Sequence, residues 1–81
     1  MNLRELESYI VDNRIRSDAV SVGRGLPSET EKYCIVKEGK LWEVYYSERG
    51  SKGGLAQFLS EEEACNHLIR LLERDRSVKL P

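Results

Sequence analysis

"KYCIVKEGKLWEVYYSER", residues 32–49, decides the fold. Two runs rich in β-branched and aromatic residues flank Glu38-Gly39, which reads as a two-residue hairpin turn with glycine supplying positive φ. A turn set there opposes Val36 to Leu41, Ile35 to Trp42, Cys34 to Glu43 and Tyr33 to Val44. Opposed residues share a sheet face. One face then holds Tyr33, Ile35, Trp42, Val44 and Tyr46 and is the core side. The other holds Lys32, Cys34, Val36, Leu41, Glu43 and Tyr45 and is mixed in character.

C-terminal to this hairpin lies "GSKGG" (50–54), a glycine-rich stretch with a lysine. A phosphate-binding loop would lead straight into a helix N-terminus, where free N–H groups and the dipole hold an anion. Here the glycines lead into "LAQFL", a strand with Ala56 and Phe58 inward, and the helix starts later, at Ser60, with three glutamates. The stretch is therefore a second hairpin bend, with Gly50, Gly53 and Gly54 in conformations other residues avoid. "SEEE" (60–63) is a capping box, and Ala64, Cys65, Leu68, Ile69, Leu71 and Leu72 form a wide apolar stripe at helical spacing. The final "SVKLP" reads as a frayed end.

N-terminal to the hairpin, Asn2 and Glu5 open a helix carried by Leu3, Leu6 and Ile10, which fades by Asn13 or Arg14. "DAVSVG" (18–23) reads as a short strand ending at glycine, and "RGLPSETE" as the longest loop. The expected fold class is α+β in the order α-β-β-β-β-α. Its antiparallel three- to four-stranded sheet carries the N-terminal and C-terminal helices on one face, burying their stripes against Trp42, Tyr46 and Phe58. The other face is expected to stay open, unless the long loop covers it.

Eighty-one residues make one small α+β domain spanning 1–81, with a thin core. Thirteen basic against fourteen acidic residues argues against a chain whose main role is holding nucleic acid. The charged N-terminus is no signal peptide and no segment is long enough to span a bilayer. The expected address is the cytoplasm, with no membrane partner, and with Cys34 and Cys65 reduced. His67 has no metal-ligand or triad spacing around it, and no cofactor motif occurs. Enzymatic activity is not expected; a small enzyme would need acids to converge on His67 or Cys65.

Helix, antiparallel sheet and final helix also outline double-stranded RNA-binding domains, which grip phosphates with basic residues at the last helix start. "SEEEAC" puts the wrong sign there, and Arg49 and Lys52 do not compensate, so a nucleic-acid-binding or regulatory module of this outline is the second reading of function. "WEVYYSERG" (42–50) followed by "FLSEEEAC" (58–65) and a leucine-rich helix is similar to small bacterial immunity proteins of polymorphic and contact-dependent toxin systems. The similarity covers roughly residues 26–73, more than half of the chain. It implies a cytosolic, stoichiometric inhibitor of one cognate toxin C-terminal domain, doing no chemistry itself. The residues themselves place partner contacts on the open face and adjoining hairpin, at Lys32, Glu43, Tyr45, Glu48 and Arg49, with Glu61, Glu62 and Glu63 next. Homodimerisation through a strand edge is a further expectation.

Overall fold

The computed structural model describes residues 1–23, 31–49 and 51–81. Its elements follow the expected order: α1 (Leu3–Asp12), β1 (Val20–Val22), β2 (Lys32–Glu38), β3 (Leu41–Glu48), β4 (Ser51–Phe58) and α2 (Glu61–Arg74). Short 3₁₀ turns at Ser17–Ala19 and Arg76–Val78 precede β1 and follow α2. The strands form one sheet in the order β1-β2-β3-β4. Among the described residues no helix is long and apolar enough to cross a membrane.

Capping fixes where both helices begin. The Asn2 side chain accepts from the Glu5 N–H at 2.9 Å, and Glu5 accepts in return from the Asn2 N–H at 3.0 Å. Ser60 caps α2 by accepting from the Glu63 N–H, but Glu63 turns to the Ser60 hydroxyl (3.0 Å) instead of the cap backbone. Only one half of the expected reciprocal box forms there. Three glutamates in the first turn of α2 match the positive end of its dipole. The apolar stripes of both helices then bury against one sheet face: Leu6 and Ile10 of α1, and Ala64, Cys65, Leu68 and Leu72 of α2, join Val20, Ile35 and Val44 in one cluster. Trp42 and Phe58 pack partly buried against it. Tyr46 stays at its margin, edge-on to Tyr33 with ring centroids 4.9 Å apart and its hydroxyl donating to Glu31.

Pairing departs from expectation in two places. The β2–β3 turn falls at Gly39-Lys40, one residue later, so Glu38 faces Leu41, Ile35 faces Val44 and Cys34 faces Tyr45. Gly39 takes the positive φ, at 64°. Sliding the turn by one residue shifts the pairing by two, and a two-residue shift leaves each side chain on the same face. The face assignments therefore stand while the partners change. The second departure concerns direction: β1 lies parallel to β2, Val20 opposite Tyr33 and Val22 opposite Ile35, so the sheet is mixed and not wholly antiparallel. The 3₁₀ turn takes Asp18 and Ala19 out of the expected strand, which ends, as read, at Gly23 with φ 75°. The loop expected at "RGLPSETE" falls mostly at 24–30, outside the described residues.

The end of the chain is held. Arg16 N–H donates to the Val78 carbonyl and Leu80 N–H to the Arg14 carbonyl, both at 2.7 Å, closing a bridge between Ile15 and Lys79. Val78 is buried at 3% exposure. Burial of one valine and two backbone hydrogen bonds overturns the expected fraying.

Candidate functional site

The sheet face turned away from the helices is not open at its centre. Cys34, Val36 and Tyr45 form a second buried cluster there, with Tyr45 1% exposed. Glu43 is buried beside it at 6% exposure, and Ser47 is fully buried. The expectation that this mixed face stays open is corrected accordingly: Cys34, Val36, Glu43 and Tyr45 are buried on it.

Glu43 accepts hydrogen bonds from Gln57 Nε2 at 3.0 Å and from Lys52 Nζ at 3.1 Å. The amide bond of Gln57 comes first, and Lys52 second, in holding the carboxyl below its ordinary range against the opposing effect of burial. The same ammonium lies 5.0 Å from the centroid of the Tyr45 ring, a cation–π distance. One lysine therefore covers both the buried carboxylate and the buried ring.

A single glycine makes this arrangement possible. Between Val44↔Ala56 and Tyr46↔Gly53 the β3–β4 register slips, leaving one extra residue on β4. Gly54 has φ 60°, the left-handed conformation of a bulge glycine. Above the bulge, Ala56 and Phe58 point to the helices; below it, Lys52 pairs with Ser47 and joins the opposite face. Without the extra residue Lys52 would share the helix face with Ala56. Gly53 itself has no positive φ, though a side chain there would sit 3.4 Å from the Tyr46 carbonyl oxygen. Gly50 lies outside the described residues.

The five partner-contact candidates divide. Glu43 and Tyr45 are interior groups and offer no surface anchor. Lys32 starts β2 half-buried and pairs with Ser47, while Glu48 ends β3 and Arg49 begins the turn; these last two are exposed. Lys32, Glu48 and Arg49 thus occupy one end of the sheet, with Glu31 beside them. Arg49 has φ 49°, left-handed for a residue that carries a Cβ. Arg14 shares that conformation (φ 55°), but its backbone and guanidinium are tied to Leu80 and Pro81, whereas among the described residues nothing holds the Arg49 side chain. Of the acidic trio, Glu61 accepts from the Leu3 N–H at 2.6 Å and Glu63 is bound to Ser60. Glu62 has a side chain 73% exposed, 3.9 Å from the chain's amino group.

Gln57 was missed from sequence, and so was the role of Lys52. The signal for both was register: once Glu43 is placed on β3, the residue opposite it on β4 is its partner, but the bulge hides that arithmetic. Cys34 and Cys65 are fully buried, and burial pushes both thiols up, away from the reactive thiolate. His67 packs against Phe58 with ring centroids 5.1 Å apart and the planes tilted by 45°, and burial lowers its basicity. Among the described residues no group of three or more His, Cys, Asp or Glu is placed to hold a metal ion.

No family model, no curated protein and no solved structure matches the chain.

Proposed function

We propose that this chain is a toxin-neutralising immunity protein, binding one secreted toxin domain and blocking its active site or its access to substrate without doing chemistry itself. The reading is supported by the similarity of residues 42–50 and 58–65 to such proteins and, in the geometry, by Arg49. A left-handed residue costs roughly 1 kcal/mol more with a Cβ than as glycine. Keeping arginine at an exposed turn, with its guanidinium unheld among the described residues, fits a side chain reserved for a partner. The contact surface is the charged sheet end of Lys32, Glu48 and Arg49. Glu43, Tyr45 and Lys52 act beneath it as the frame that fixes the hairpin.

The test is co-expression of the tagged protein with the open reading frames adjacent to it in its own genome. A one-to-one complex with the C-terminal domain of a secreted protein is the expected product. Elution alone, or with bound RNA, refutes the reading. In the complex, Arg49→Gly should weaken binding roughly tenfold, the loss of about 1.4 kcal/mol at a charged contact. The same variant should melt no lower than the wild type, because glycine relieves the left-handed strain. Unchanged affinity would remove the turn from the interface.

A further inference from the structure

The sheet has two edges of very different kind. β1 at one edge is three residues long, whereas β4 at the other is eight, and most of its side chains are exposed. The outer backbone groups of an edge strand are unpaired and invite another strand. Natural edges are blunted by bulges and by charges, and β4 has both, in its first half: Lys52 and the Gly54 bulge. Its second half has neither. From Gly53 to Ser60 there is no charged residue and no proline. Leu55 at 46% exposure and Leu59 at 81% are among the most exposed large apolar side chains of the described residues.

The charges at the two ends identify the occupant. Lys52 lies towards the start of the strand, and Glu61, Glu62 and Glu63 follow its finish. A second copy laid parallel would set lysine near lysine and glutamates near glutamates. Laid antiparallel, the two acidic helix starts lie at opposite ends, each beside the other copy's Lys52, whose side chain stays 37% exposed while it holds Glu43. We infer that two copies of this chain pair antiparallel through β4, forming a continuous eight-stranded sheet with Gln57 of each copy on the two-fold axis. In that register Leu55 faces the other copy's Leu59, and Ala56 faces Phe58. Direct opposition of the two exposed leucines singles out this register over its neighbours, since moving by one pair sets Leu55 against Gln57 and Leu59 against Gly53 in one direction, and Leu55 against Glu61 and Leu59 against Gln57 in the other. The interface is independent of the toxin reading and leaves the Arg49 turn projecting at the strand ends.

Sedimentation equilibrium of the full chain up to about 1 mM tests it. The wild type should rise with concentration from 9.3 kDa towards twice that mass. Leu55→Lys with Leu59→Lys places like charges opposite one another and should sediment as a monomer with a native circular dichroism spectrum, both positions being exposed. Leu55→Lys with Leu59→Glu places opposite charges together and should restore the dimer. A wild type that stays at 9.3 kDa throughout, leaving the edge to some other protein's strand, overturns the inference. Dimerisation of the two-lysine variant, or a monomeric lysine–glutamate variant, overturns it equally.

Discussion

Replacing Tyr45 with alanine separates two roles that one residue cannot hold together. An aromatic anchor displayed to a partner can be truncated with little effect on the free protein; a ring buried against Cys34 and Val36 cannot. At 1% exposure the side chain is fully interior, and removing a buried ring costs about 3–5 kcal/mol, part in lost transfer energy and part in the cavity left behind. A chain of 81 residues has a total stability of about 4–12 kcal/mol at 0.05–0.15 kcal/mol per residue, so the truncation removes at least a quarter of it. At about 4–8 °C per kcal/mol in a domain of this size, the melting temperature should fall by at least about 12 °C. Tyr45→Phe keeps the ring and deletes only the hydroxyl, which should cost far less, about 0.5–1.5 kcal/mol. Urea titration of the three proteins gives the comparison, with the slope checked for constancy. If Tyr45→Ala stays within about 0.5 kcal/mol of wild type, the value usual for surface sites, the second cluster is not a core.

Glu43 should leave a mark on the acid side of the stability curve. Its folded carboxyl lies below the unfolded value of about 4.3, so its contribution is complete above that pH and is lost as pH falls through the folded value. Glu43→Gln should cost about 1.5–3 kcal/mol at neutral pH through the charged bond from Gln57, and the gap should close on acidification; a gap independent of pH would deny the carboxylate its role. Tyr33 should respond at the opposite extreme. Burial, and then its 2.8 Å bond to Asp75, push the phenol up to about 12 from 10.0, so folding favours the neutral form and stability drains away between those values as pH rises. Absorbance titration should show a late phenolate step that Tyr33→Phe removes; a step lost near 10 instead would contradict the bond.

What could be read from sequence and what could not differ by a physical rule. Side-chain faces follow parity, so an error of one residue in the β2–β3 turn left Ile35, Trp42 and Val44 correctly on the helix side. Parity fails wherever a single residue is inserted. The Gly54 bulge is such an insertion, and it moved Lys52 to the face where Glu43 and Tyr45 lie. A mixed polar and apolar face then looked like surface, because the contacts of Lys52 and Gln57 with Glu43 and of Lys52 with Tyr45 depend on a register that the bulge shifts. The direction of β1 was illegible for another reason: three residues alternate the same way whichever way they run. Helix starts were legible because a cap is a local contact within three residues. The hold on Val78 was not, since its partners lie more than sixty positions earlier.

That last contact has a kinetic meaning. Joining Arg14 and Arg16 to Val78 and Leu80 closes a loop over residues 14–80, and the entropy of closing it is recovered only once the sheet and α2 between them are in place. A contact of that kind is expected to form after the rate-limiting step of folding, so that Val78→Ala should speed unfolding and leave the refolding rate nearly unchanged in stopped-flow measurements. On that expectation the clasp between 14–16 and 78–80 is a latch on the exit from the native state.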